Sequence, residues 1–192
     1  MCSLPNVVAV ASTDKNDRLS AFSNFGFRSA DIAAPGSSVL SCGVGSNSDY
    51  QYLSGTSMAA PHVSGAIALA KARFPDDSGE DLITRTYSSV DFLPEVFVGS
   101  QGRLNLRNLL AASTPQPYHD SFTNPYVIAG CEFHWCGSNN HATREADEDV
   151  FSPGTGTRSY WFSWKAPEDG LLTFEGKASQ GDVSVVALEG ND

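Results

Sequence analysis

Apolar and polar positions divide the chain into two stretches with different periods. In the first, Val7, Val8, Ala9, Val10 and Ala11 form an unbroken apolar run. It predicts a strand over 6–11, of the kind a parallel sheet buries on both faces. A polar turn follows at Ser12-Thr13-Asp14-Lys15-Asn16-Asp17, and further short strands are predicted at 31–34, before Pro35-Gly36, and at 39–41. Over 57–72 the apolar residues Met58, Ala59, Ala60, Val63, Ala66, Ile67, Leu69 and Ala70 lie almost all round a helix, which predicts a helix inside a domain. Pro61 does not break it, because in the first turn the N–H that proline lacks has no intrahelical partner. A second helix is predicted from Ser78, with Asp77 or Ser78 as cap, Glu80 and Asp81 in its first turn, and Leu82 and Ile83 on its buried face. A third spans 105–112.

The string Ser113-Thr114-Pro115-Gln116-Pro117 reads as a linker. Beyond it, aromatic and β-branched runs at 159–164, 171–175 and 182–188 alternate with the turn strings Pro167-Glu168-Asp169-Gly170 and Ser179-Gln180-Gly181. The expected architecture is therefore α/β: an incomplete parallel-sheet domain over 1–112, then a smaller all-β sandwich module over 118–192.

Composition narrows the function. With 41% hydrophobic and 18% charged residues the chain is apolar enough to fold. A net charge of −10 leaves no basic stripe for phosphates, so nucleic acid is not an expected partner. No apolar run is long enough to span a bilayer, so neither is a membrane. The opening residues have no basic segment ahead of their apolar run, unlike a signal peptide, and resemble the interior of a domain. The expectation is that an N-terminal portion precedes Met1. Cys131 and Cys136 could close a small disulfide loop, remain free, or bind zinc with His134 and His141, although their spacing fits no zinc-finger pattern; Cys2 and Cys42 are far apart.

The chemistry-bearing stretch is Gly55-Thr56-Ser57-Met58-Ala59-Ala60-Pro61-His62-Val63-Ser64-Gly65. Small residues lead into a serine at a helix N-terminus, where the helix dipole and a free N–H favour negative charge beside the hydroxyl. The bland alternative is an N-cap serine. The whole string resembles the nucleophile motif of the subtilisin-like serine proteases, the subtilases. Segments 6–14, 19–26 and Asp31-Ile32-Ala33-Ala34-Pro35-Gly36 resemble those preceding that motif, and Gly102-Arg103-Leu104-Asn105 resembles the one closing the catalytic domain. The resemblance runs in register from residue 4 to about 112.

It implies a serine endopeptidase acting on protein or peptide substrates, with Ser57 as nucleophile and the Ser57 N–H in the oxyanion hole. It makes Leu53, Ser54, Gly55 and Thr56 a wall of the substrate cleft and puts Met58 on the leaving-group side, where plain core filling is the alternative. It also implies an aspartate, a histidine and an oxyanion asparagine earlier in the polypeptide; no Asp-Thr-Gly, Asp-Ser-Gly or His-Gly-Thr string occurs in this chain. His62 is no substitute base, since five helical residues put it about 140° round and about 7.5 Å along from Ser57; a packed structural residue is the expectation. His119, His134 and His141 lie beyond the domain end, and Asp14, Asp17 and Asp31 read as solvated turn carboxylates.

In the second stretch, 138–145 and 160–167 resemble bacterial pre-peptidase C-terminal β-sandwich domains, which are appended to secreted proteases. Secretion of the complete protein is implied. The acidic residues Glu145, Asp147, Glu148 and Asp149 read first as a solvated loop, with Glu145, Asp147 and Asp149 the candidates for a structural calcium. The chemistry requires no cofactor. Trp161 and Trp164 read as core before polymer-binding surface. The competing function is a non-catalytic remnant whose β-sandwich is a secreted ligand- or polymer-binding module.

Overall fold

The computed structural model describes residues 7–27, 29–111, 120–123, 125–128, 142–145 and 158–174. Its central sheet comprises β1 (Val10–Thr13), β2 (Ile32–Pro35), β6 (Gly102–Arg103) and β5 (Asp91–Phe92), in the order β1-β2-β6-β5. β1 and β2 run parallel, Val10 opposite Ile32 and Thr13 opposite Pro35; β6 is parallel to β2, and β5 antiparallel to β6. The helices α1 (Thr56–Arg73), α2 (Gly79–Ser88) and α3 (Leu106–Ala111) complete this part.

Strand alternation explains the core. Ile32 and Ala34 point to one face, where they meet Ala59, Val63, Ala66 and Ala70 of α1, Leu82 of α2 and Leu109 of α3. Ala33 points to the other, with Ala11, Ala30, Val96 and Val98. A fully buried aliphatic side chain such as Ile32 stabilises by about 1.5–3 kcal/mol.

β1 lies further along the chain than its apolar run predicted. Val7 is exposed, whereas Ser12 and Thr13, expected in a turn, are fully buried in the strand. Burial is tolerated at Ser12 because the loop beside it satisfies its polar groups. The Ser12 N–H donates to Ser23 Oγ at 2.9 Å, its carbonyl accepts from Ser20 N at 2.9 Å, and its hydroxyl meets Ser20 Oγ at 2.8 Å.

α2 begins with a reciprocal capping box. Asp81 N donates to Ser78 Oγ at 3.2 Å and Ser78 N donates to Asp81 Oδ2 at 2.8 Å. Asp77 instead pairs with Arg85, whose buried guanidinium lies 2.8 Å from Asp77 Oδ2 and 3.8 Å from the Phe74 ring centre. Asn105 caps α3, accepting from Asn108 N at 3.0 Å.

One prediction about exposure fails. α1 buries only one face, at Ala59, Val63, Ala66 and Ala70; Ala60, Pro61, Ala68 and Leu69 are exposed among the described residues. The predicted strand at 39–41 is β3 (Val39–Cys42), which pairs not with the sheet but in an antiparallel hairpin with β4 (Tyr50–Leu53), a strand the pattern missed. All four residues of β4 are exposed, and the Cys42 thiol is free.

Beyond residue 120 the described strands are β7 (Tyr126–Ile128) and β8 (Phe162–Trp164), paired in parallel. Residues 171–174 are described without a strand. The linker at 113–117, the run at 182–188 and Cys2, Cys131 and Cys136 lie outside the described residues.

Candidate active site

α1 starts at the carboxyl end of β2, where an open parallel sheet presents ligand sites. Its N-cap is Gly55, so Ser57 is the second helical residue and not a cap. Gly55 N donates to the Gly36 carbonyl at 2.8 Å, fixing the helix start to the turn after β2. The Gly55 carbonyl then accepts from Met58 N at 3.0 Å and Ala59 N at 3.3 Å, closing the first turn. With no side chain on the cap, the N–H groups of Thr56 and Ser57 have no acceptor among the described residues and remain available to an anion.

Ser57 is exposed, and its hydroxyl has no hydrogen bond among the described residues. Leu53 and Ser54 are also exposed, while Gly55, Thr56 and Met58 are half-buried. Ser54 Oγ accepts from Ser38 N at 2.8 Å and ties the segment before α1 to the turn between β2 and β3. A Cβ at Gly55 would meet nothing nearer than Met58 Sδ at 3.5 Å, so the fold itself does not demand glycine there.

His62 is exposed and not packed, contrary to the sequence reading. Its Nδ1 lies 2.8 Å from the Met58 carbonyl one turn back, which accepts from it, so the ring lies along the helix with no bond to Ser57. It lines a cavity of about 310 Å³ with Pro35, Ala66, Asp91, Arg103 and Leu104, a space that Ser57 does not border.

The aspartates read as solvated turn carboxylates have structural tasks. Asp14 accepts from Asn16 N at 2.8 Å and Arg18 N at 3.1 Å, and the Arg18 N–H is the main cause that lowers its carboxyl below the ordinary range. Asp17 and Asp91 both pair with Arg103 at 2.7 Å, tying the loop after β1 to β5 and β6. Asp31 is half-buried and accepts from Ala9 N at 2.7 Å; burial raises its carboxyl above the ordinary range, and that N–H opposes the shift. Among the described residues no group of three His, Cys, Asp or Glu side chains could hold a metal ion. Glu145 accepts from Ser121 Oγ at 2.6 Å and Phe122 N at 2.8 Å, while Asp147 and Asp149, like His119, His134 and His141, lie outside the described residues.

Ser57 is thus an exposed serine, its hydroxyl without a hydrogen bond among the described residues, in the first turn of a helix that starts beside the end of β2. The family profile described as Peptidase_S8, subtilase family, matches residues 2–116. The chain belongs to the subtilase family. Thermitase from Thermoactinomyces vulgaris is 53% identical over 64 residues, which make up 33% of this chain and 22% of that protein. A thermophilic serine proteinase from Bacillus sp. (strain AK1) is 49% identical over 67 residues, 35% of this chain and 16% of the relative. The subtilisin-like serine protease Rho m 2.0101 of Rhodotorula mucilaginosa is 31% identical over 141 residues, 71% of this chain and 36% of its own length. The subtilase chain described here thus spans well under half the length of each of these relatives. Among solved structures, a protease from Pseudoalteromonas arctica gives a TM-score of 0.49 at 33% identity, over 55% of this chain and 35% of that one.

What sequence reasoning missed around the subtilase serine is the contact between Gly36, Ser12 and Gly55. Pro35-Gly36 was the available signal, but it marks only a turn until the third dimension brings these residues together.

Proposed function

We propose that the polypeptide carrying this chain is a secreted serine endopeptidase of the subtilase family that hydrolyses peptide bonds with Ser57 as nucleophile. The observation that carries this reading is the exposed, unbonded Ser57 hydroxyl at the start of α1, inside the family-matched segment. A serine hydroxyl is a weak nucleophile at neutral pH and needs a base within hydrogen-bonding reach. His62, the described histidine nearest in sequence, is bonded to the Met58 carbonyl. The aspartate, histidine and oxyanion asparagine are therefore assigned to a preceding portion of the same catalytic domain. Leu53, Ser54, Gly55 and Thr56 form the substrate wall beside Ser57, and Met58 lines the leaving-group side. The chemistry calls for no cofactor. We assign residues 118–192 to a pre-peptidase C-terminal β-sandwich, a reading supported by the aromatic string at 160–164.

The test compares the full-length polypeptide with its Ser57→Ala variant in peptide hydrolysis. Turnover should fall by several orders of magnitude in the variant. Retained turnover would assign the nucleophile elsewhere. Residues 1–192 alone should show no turnover, and Ser57-dependent hydrolysis by that piece would overturn the division of the site.

A further inference from the structure

Gly36 lies where three segments cross. Its N–H donates to the Thr13 carbonyl at the end of β1 at 2.9 Å, and its carbonyl accepts from Gly55 N, the cap of α1, at 2.8 Å. A Cβ placed on it would overlap Ser12 Oγ, lie 3.0 Å from Ser12 Cβ, and come within 2.7 Å of the Gly55 carbonyl oxygen. A methyl group at position 36 must therefore displace Ser12 or that carbonyl.

Ser12 is one wall of this space. Its backbone is bonded on both sides by Ser20 and Ser23, and its hydroxyl meets Ser20 Oγ, which in turn meets Ser37 Oγ at 2.7 Å. Moving it would break a buried chain of hydroxyls, each costly to leave unpaired. The Gly55 carbonyl is the other wall, and it accepts from Met58 N and Ala59 N in the first turn of α1, the turn that carries Ser57, so a methyl group that displaces it moves that turn.

We propose that Gly36 is a positioning residue for Ser57: by having no side chain it lets Ser12 and the Gly55 carbonyl close on each other, and so sets the placement of the first turn of α1. This rests on Ser57 being the nucleophile. Gly55 differs from it. Its own Cβ would meet no protein atom closer than 3.5 Å, so the tight glycine here is the one behind the helix start.

The experiment uses the full-length polypeptide and normalises turnover to sites titrated with a fluorophosphonate. For Gly36→Ala the expected result is a fall in kcat per titrated site of at least about tenfold, with KM held within about twofold, because a displacement of about 1 Å costs up to about a hundredfold in rate. The variant Ser12→Gly/Gly36→Ala gives the methyl room on the Ser12 side. It should melt lower than Gly36→Ala, having lost the hydroxyl chain, yet recover kcat per site. That opposite movement of stability and turnover is what a merely structural glycine would not produce. An unchanged kcat per site in folded Gly36→Ala would overturn the proposal. So would a Gly36→Ala protein with no folded fraction that Ser12→Gly does not restore, since Gly36 would then be a folding residue. Labelling that survives Ser57→Ala would instead overturn the nucleophile assignment, whatever Gly36→Ala does.

Discussion

Residues 7–111 and the described residues from 120 onward are held by different means. The first region packs two apolar clusters against the faces of a partly parallel sheet. Among the described residues of the second, the buried hydrophobics are Tyr126 and Ala142. Its described segments are also joined by ring contacts, such as Phe122 with Trp161 at 4.9 Å, and by carboxylates: Asp120 accepts from Thr143 N at 2.6 Å and Thr143 Oγ1 at 2.8 Å, and Glu145 accepts from Ser121 Oγ and Phe122 N. It also rests on the first region, with the Tyr126 ring 6.1 Å from Phe27 and Gln101 Nε2 donating to the Val127 carbonyl at 3.2 Å. A net hydrogen bond is worth about 1 kcal/mol, less than a buried aliphatic side chain. The difference teaches that the described residues of the second region lean on the first as well as on one another.

The comparison breaks most strongly at Arg85. Arg85→Ala removes a buried guanidinium from both Asp77 and the Phe74 ring, and should lower the unfolding free energy of the first region by about 3–5 kcal/mol in urea titration. An effect below about 1 kcal/mol would mean that Arg85 and Asp77 behave as a solvent-exposed pair. Tyr126→Leu removes the aromatic contacts with Phe27 and Phe162, each worth about 0.5–1.5 kcal/mol. Limited proteolysis of that variant should cut the second region first and leave 7–111 protected; equal cleavage of both would show that the seam carries nothing. Ser78→Ala, which removes one half of a capping box, should cost the first region about 1 kcal/mol.

The smallest effects are in pH dependence, and the two regions should move in opposite directions. Asp31 has a folded pKa raised by burial, so its contribution to stability is full below the unfolded value and declines as pH rises through the folded one. Asp31→Asn should flatten that decline. Glu145 is lowered, first by the Ser121 hydroxyl and then by the Phe122 N–H, so its contribution is present above the unfolded value and lost as pH falls through the folded one. Glu145→Gln should remove that acid-side loss. Urea midpoints measured from about pH 3 to 7 check both signs.

The first region was more legible in the sequence because its rules are local. The helix string 57–72 matched α1 closely, and Ser78 with Asp81 gave the start of α2. Burial was harder to read. Ser12 and Thr13 look polar until the loop at 20–23 supplies bonding partners for Ser12, and the four exposed residues of β4 show no alternation of burial that would mark a strand. The apolar circumference of α1 predicted burial all round, yet only the face toward the sheet is covered among the described residues. At the site, the motif pointed to Ser57, whereas the crossing of Ser12, Gly36 and Gly55 depends on residues far apart in the chain meeting in space.

The most direct measurement is peptide mapping by mass spectrometry after treating the full-length polypeptide with a fluorophosphonate. The account predicts a single adduct on the Ser57 hydroxyl, formed faster than on any other serine because only an activated hydroxyl reacts readily. An adduct at another serine, or a folded and peptidase-active protein whose Ser57 stays unmodified, would contradict it.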